Sequence, residues 1–253
     1  MINDLIFDIG MHEGDDAEYY LAKGFRVLSV DANPFLCEKA RKRFAREIRY
    51  GRLTVLNLGI TECSGELDFY ITTNKTDWSS FRYDFASRFD GLVETIKVRC
   101  ITMASLIKEY GVPYYLKIDI EGHDQSAILS LDKVRDELPR YVSVEATVDD
   151  FVDIMTPLGY RYFKLVNQVY ISHIPPCRPP IEGAFTEMKI ISGLHSGQFG
   201  DESYGEWLTP EDFLSDYSAV REKRYSDTRQ KDYGLSDEML STWWDIHAKL
   251  GPK

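Results

Sequence analysis

The sequence lacks any apolar run approaching the roughly 20 residues that a membrane-spanning helix requires. Cysteine is sparse: Cys37, Cys63, Cys100 and Cys177 stand alone, and no C-x-x-C pair is present. That spacing excludes a zinc ribbon or a dithiol redox motif, and so few thiols suit a reducing cytoplasm. Positive charge is also in short supply, with 30 Lys and Arg against 41 Asp and Glu and a formal net charge of -11. A broad nucleic-acid surface needs clustered cations to neutralise phosphates, so no nucleic-acid partner is expected. The one basic run, Lys39 to Arg46 (KARKRFAR), has the spacing of a solvated helix face. Neither an internal repeat nor a low-complexity segment is present, which excludes solenoids and fibrous arrays. The expectation is a soluble cytoplasmic protein without a membrane span.

What the chain does contain is enough apolar residue, 43% of 253, to bury a sizeable core. Over its first two thirds, strand-like and helix-like stretches alternate, as in a mostly parallel sheet covered by helices. Leu5–Ile9 reads as a buried strand ending at Gly10, followed by a helix from about Ala17 to Lys23 that stops at Gly24. Arg26–Asp31 is a second strand, and Asn33-Pro34 caps a helix running to about Arg49. Leu53–Leu58, an alternating segment after Gly65, Ile96–Cys100, Tyr114–Ile118 and Tyr141–Val144 supply further strands. Thr102 caps a helix to Tyr110, and others lie within Gln125–Leu131 and Asp149–Leu158. Thr72–Thr95 is expected to be a long loop, a type that is usually functional or mobile.

Arg161–Val166 and Val169–Ile171, joined at Asn167-Gln168, are expected to form an antiparallel edge hairpin. The proline-rich stretch Pro175–Pro180 then sets the expected boundary between a Rossmann-like core, 1–175, and a C-terminal extension, 176–253. Thr209-Pro210-Glu211-Asp212 is a helix start. Ser236 opens an expected last helix with Leu240, Trp243, Trp244 and His247 on one face, a stripe suited to packing on the core. This helical extension could act as a lid, an acceptor contact or an oligomer contact.

The informative unit is Asp8-Ile9-Gly10-Met11-His12-Glu13-Gly14, placed after a strand and before a helix. Glycines there allow a tight turn and a close ligand approach, and a helix start offers free amide donors. Asp31 ends the next strand, where a carboxylate can accept the hydroxyls of a ribose. A nicotinamide dinucleotide would fit this order, but its usual G-x-G-x-x-G is absent. Asp8 and Glu13 would repel a pyrophosphate and favour an amine or a sulfonium.

In several blocks the sequence resembles the FkbM-type methyltransferases. Phe7–Gly14 resembles their first motif, with Met11-His12 replacing the usual Ala-Asn. Val30-Asp31-Ala32-Asn33-Pro34 resembles the second, with Asp31 in place of the commoner Glu. Leu116-Lys117-Ile118-Asp119-Ile120-Glu121-Gly122 matches the most specific signature, and Val144-Glu145 matches a strand-ending glutamate. The similarity spans about residues 4–175. His195–Gly200, Trp207 and the terminal Trp-Trp-Asp-Ile-His resemble a tail found in some members.

The resemblance implies a class I methyltransferase fold: a Rossmann-like α/β domain with a mostly parallel seven-stranded sheet and an antiparallel edge hairpin. It also implies S-adenosylmethionine as cofactor and methyl transfer to a hydroxyl of a sugar, glycan or secondary metabolite. Asp8, Gly10, His12, Glu13, Gly14, Asp31, Asn33 and Asp119 are the candidate cofactor residues. Asp119, Glu121 and His195 are the candidate bases or acceptor-orienting groups, because a hydroxyl gains nucleophilicity when a base takes its proton. Strand alternation places Lys117, Asp119 and Glu121 on one face, where Lys117 would lower the basicity of both acids. Trp78, Ser80, His123 and Glu145 are the candidate acceptor contacts.

No metal is expected: Asp119, Glu121 and His123 offer donors, but no second histidine is near in sequence. The expected partner is a small-molecule or glycan acceptor, with a homo-oligomer also open. Two other readings stand beside this one: a non-catalytic binding module, and a nicotinamide-dependent sugar oxidoreductase.

Overall fold

A computed structural model of the chain describes residues 1–88, 91–146, 151–227 and 243–252, the side chains of 219–227 excepted. The chain divides into two compact units, Met1–Arg140 and Tyr141–Lys253.

The first unit is built on four parallel strands: β1 (Ile2–Ile9), β2 (Arg26–Asp31), β3 (Leu53–Asn57) and a later strand, Pro113–Ile118, in the order β3-β2-β1-(113–118). Leu5 to Ile9 are buried without a break, as are Val27 to Val30. Such unbroken buried runs, Asp8 and Ser29 included, belong to strands covered on both faces, whereas a one-sided sheet would alternate. Helices α1 (Asp15–Ala22), α2 (Pro34–Arg43) and α3 (Ala45–Arg49) connect the first three strands. Asn33 caps α2, its Oδ1 accepting the Phe35 N–H at 3.0 Å.

A second, three-stranded sheet joins β4 (Gly59–Ile60), β5 (Gly65–Thr72) and β6 (Val93–Ile101), with β5 antiparallel to β6. Phe69, Ile71 and Val98 form its buried cluster. The segment expected to be a long loop is shorter and partly folded. It holds a helical turn at Thr76–Trp78 and the short helix α4 (Tyr83–Ala86), and β6 already begins at Val93. Helix α5 (Met103–Tyr110) starts at Thr102, whose Oγ1 accepts the Ser105 N–H at 3.1 Å, and leads into β7 (Pro113–Ile118) and α6 (Asp124–Ser130).

The KARKRFAR run lies on α2 and α3, and its cations are absorbed within the chain. Lys39 pairs with Glu13, and Arg43 with Asp15 at 2.9 Å and with Glu18. These are exposed pairs, each contributing on the order of 0–1 kcal/mol.

The second unit holds β8 (Tyr141–Glu145), α7 (Phe151–Met155), β9 (Tyr160–Asn167), α8 (Pro210–Asp227) and β10 (Trp244–Leu250). Its strand order is β8-β10-β9, with β10 antiparallel to both neighbours. An antiparallel edge pair is therefore present, but its second strand is β10 and not Val169–Ile171. The expected hairpin turn fails because the Asn167 side chain intervenes. Its Oδ1 accepts the Val169 N–H at 2.9 Å and the Tyr170 N–H at 3.3 Å, winding the chain into a 3₁₀ turn at Tyr170–His173.

The expected terminal helix is likewise corrected over Trp244–His247, which is strand. Flanked on both edges, β10 satisfies its backbone groups through β8 and β9, and long-range pairing overrides the helical spacing of its aromatic residues. Leu240, like Ser236, lies outside the described residues. The start of α8 follows expectation, with Thr209 Oγ1 accepting the Asp212 N–H at 3.2 Å. Part of the stretch assigned to an extension beyond residue 175 is thus a sheet strand paired with Tyr160–Asn167. Among the described residues the architecture is a Rossmann-like α/β fold whose main sheet has seven strands, mostly parallel, with an antiparallel edge pair. No helix among the described residues is long and apolar enough to cross a membrane.

Candidate active site

Two turns at the carboxyl ends of the first unit's parallel strands carry most of the predicted residues, the position where open α/β sheets bind ligands. The first follows β1. Gly10 has φ +82°, and a Cβ there would lie 1.7 Å from the carbonyl oxygen of Asp119. The chain after β7 passes this close because Asp119 N–H donates to Ile9 O at 2.9 Å. Glycine at position 10 is therefore demanded by the packing of two loops. Gly14, with φ +86°, starts α1, and a Cβ there would meet the Phe44 ring at 2.7 Å.

His12 adopts φ +50°, its N–H donates to Asp31 Oδ2 at 2.9 Å, and its Nε2 lies 3.0 Å from Thr76 Oγ1. The other oxygen of Asp31 accepts the Asn33 N–H at 2.8 Å. Asp31 thus ties the glycine turn to the start of α2, and each oxygen keeps a second lone pair for a ligand. Burial pushes its carboxyl up to about 6, against the pull of the Asn33 and His12 amides.

Below this turn lies a charge cluster centred on Lys117, whose Nζ is 3.5 Å from Asp8, 3.5 Å from Asp16 and 3.7 Å from Asp119. It also donates to Gly10 O at 3.1 Å. Burial works against the ammonium, but Asp8, Asp119 and Asp16 outweigh it and raise its pKa. Asp8 is 0% exposed, so it faces Lys117 and Ser29 from beneath the turn instead of reaching a ligand. Burial raises its carboxyl, opposed by Lys117 and reinforced by Asp16. Glu13 is turned toward Lys39. Asp119, with 44% of its side chain exposed, is the accessible acid of the cluster.

The second turn, Asp119–Asp124, departs from expectation. β7 ends at Ile118, so strand alternation does not extend to Glu121, and Lys117 is shared with Asp8, Asp16 and Asp119 instead. Glu121 takes φ +49°, a left-handed conformation that costs a non-glycine residue about 1–2 kcal/mol. Asp124 stabilises that turn by accepting Ile120 N–H at 3.0 Å and Gly122 N–H at 3.1 Å. Ser80 Oγ donates to Glu121 O at 2.6 Å. Arg88 Nη1 and Nη2 both donate to Glu121 Oε2, at 2.9 and 2.8 Å. Burial and the charge of Asp119 push the Glu121 carboxyl up to about 7, with Arg88 opposing.

His123 stands edge-on to Phe81, and burial lowers its pKa. Trp78 lies under Lys75 and Arg88, and the Ser80 hydroxyl is engaged twice, donating to Glu121 O and accepting the Arg82 N–H. The remaining candidates belong to the second unit. Glu145 ends β8, and His195 is buried with its Nδ1 accepting the Ile191 N–H at 3.1 Å. Asp16, Thr76, Arg88 and Asp124 were not foreseen. Asp16 and Asp124 carry the weak signal of acids at helix starts, whereas Thr76 and Arg88 sit in the 73–92 connection with no local signal.

The donor set fits an S-adenosylmethionine-like ligand better than a dinucleotide. Three carboxylates surround one ammonium at the glycine turn, a surplus that favours a cation over a pyrophosphate. Asp31 ends β2 with both carboxylate oxygens held by backbone amides, a carboxylate able to accept hydroxyl donors.

The methyltransferase FkbM domain model matches residues 8–162, more than half of the chain. Among solved structures, the chain is similar to an FkbM methyltransferase from Methylobacillus flagellatus KT at 18% identity and TM-score 0.40, covering 57% of this chain. This chain spans only 33% of that protein's length. It is also similar to a TehB-like SAM-dependent methyltransferase from Corynebacterium glutamicum (12% identity, 66% of this chain and 71% of that one, TM-score 0.35). An rRNA methylase from Streptococcus thermophilus gives 12% identity, 65% and 75% coverage and a TM-score of 0.35. None of the three informs the acceptor of this chain. No curated protein sequence matches it. On the extent of the domain match, the chain belongs to the FkbM methyltransferase domain family.

Proposed function

We propose that the protein is a cytoplasmic S-adenosylmethionine-dependent O-methyltransferase acting on a hydroxyl of a sugar, glycan or secondary metabolite. Asp31 accepts the ribose hydroxyls, the 10–14 turn approaches the cofactor through its backbone, and Asp119 offers an accessible carboxylate to the cofactor or acceptor. When bound, S-adenosylmethionine supplies an electrophilic methyl group carried on a sulfonium.

Glu121 carries the choice of a hydroxyl acceptor. Among the described residues its Oε1 forms no hydrogen bond, while Oε2 is held by Arg88. A carboxyl pushed up to about 7 is matched to proton abstraction near neutral pH. Glu121 Oε1 therefore takes the proton of the acceptor hydroxyl, and the carboxyl returns it to water after product leaves. The strain at Glu121 supports this role, since left-handed non-glycine residues persist where surrounding contacts over-determine them. His123 and Trp78 flank the same turn and are the acceptor contacts of this reading.

The test is a screen with cofactor labelled in its methyl group, beginning with sugars and glycosides. Label appearing in a base-stable ether, lost in Glu121→Gln with cofactor affinity retained, supports the proposal. Transfer to nitrogen or carbon, or full activity in Glu121→Gln, overturns it.

A further inference from the structure

We propose that Arg88 is a positioning residue that fixes the Glu121 carboxylate with one oxygen toward the acceptor. This rests on the reading of Glu121 as the base and adds a residue that no motif marks.

The observations are independent of one another. Both terminal nitrogens of Arg88 converge on one oxygen, Glu121 Oε2, and leave Oε1 without a partner among the described residues. A guanidinium that chelates a single oxygen sets the torsion of the carboxylate as well as its charge environment. The guanidinium is itself placed by aromatic rings, with its Cζ 5.1 Å from the Trp78 centroid and 5.5 Å from the Phe85 centroid. Trp78 and Phe85 belong to the segment that Ser80 anchors to the Glu121 carbonyl. The 76–88 segment thus grips Glu121 at two points, its backbone through Ser80 and its carboxylate through Arg88. It also reaches the glycine turn through Thr76 and His12.

Within this unit the charged groups facing Glu121 are Arg88, Asp119 and Asp124. Asp124 is spent on the Ile120 and Gly122 amides. Arg82, which packs over Gly122, is paired with Asp84. Arg88 is therefore the cation that opposes burial and the two acids at Glu121.

The experiment uses the full chain, free of ligand, with glutamate labelled by ¹³C at the carboxyl. The Glu121 resonance is identified by its loss in Glu121→Gln. Replacing Arg88→Met should move the Glu121 titration upward by about 1–3 pH units, the usual effect of an adjacent opposite charge. Arg88→Lys should restore much of that ionisation. It should not restore transfer, because an ammonium lacks the planar fork that fixes the torsion.

Once an acceptor turns over, both variants should lose on the order of 100-fold in kcat with KM for the cofactor unchanged. Retained cofactor binding by calorimetry establishes that each variant is folded. An unmoved Glu121 titration in folded Arg88→Met, or full kcat in Arg88→Lys, overturns the proposal. Full transfer in Glu121→Gln would instead sink the base assignment while leaving the Arg88–Glu121 coupling measurable.

Discussion

The glycine turn after β1 and the acidic turn after β7 lie side by side, yet they are held in place by different means. The first is fixed largely through its backbone: Gly10 and Gly14 take positive φ, the Gly10 and Met11 N–H groups donate to Val30 O, and the His12 N–H donates to Asp31. The second is fixed by side chains, with Asp124 beneath it, Ser80 on its carbonyl and Arg88 on its carboxylate. A turn that presents backbone to a cofactor needs small residues. A turn that presents one carboxylate to an acceptor needs a strained residue held from several directions.

The sharpest way to break this contrast is Gly10→Ala. A Cβ 1.7 Å from Asp119 O cannot be accommodated, and its φ is unfavourable for alanine. The variant should lose folded protein outright or at least about 3 kcal/mol in a denaturant melt. Near-wild-type stability would mean that the two turns are not packed as described.

Glu121→Gln should leave stability and cofactor affinity close to wild type while slowing transfer by about 100- to 10,000-fold, the usual contribution of a general base. The same group sets a pH dependence. With its carboxyl pushed up to about 7, the ionised base gains as pH rises, so kcat/KM should climb through that pH and level off above it. A flat profile from pH 6 to 8 would remove Glu121 from the role.

Asp31→Ala should weaken cofactor binding by ~1.5–3 kcal/mol, as for a hydrogen bond to a charged group. The smallest effect is also at Asp31. Its carboxyl is pushed up to about 6, so it becomes protonated as pH falls, and a neutral acid is the poorer acceptor of ribose hydroxyls. Cofactor affinity should therefore drop about tenfold between pH 7 and pH 5, and calorimetry at three pH values would reveal it.

Much of the first turn was legible in sequence because its determinants lie close together: a buried strand, a glycine turn, a helix start and an acid ending the next strand. The capping residues Asn33, Thr102 and Thr209 were legible for the same reason. The second turn was visible as a motif but not as a geometry. Lys117 could be seen to face acids, but its partners Asp8 and Asp16 come from other elements, and Glu121 leaves the strand pattern that would have aligned it with Lys117. Arg88 and Ser80 reach Glu121 from 33 and 41 residues away, a distance at which no spacing rule operates. At the far end of the chain, Trp244 and His247 carry helical spacing but are drawn into β10 by strands β8 and β9. Local pattern decided the ends of helices, while sheet pairing and side-chain ties decided the rest.

The most direct test of the central claim is calorimetric titration of the protein, and of Asp31→Ala, with S-adenosylmethionine, S-adenosylhomocysteine and NADH. An S-adenosylmethionine site predicts binding of the first two, weakened in Asp31→Ala, and no binding of NADH. Binding of NADH alone would contradict it.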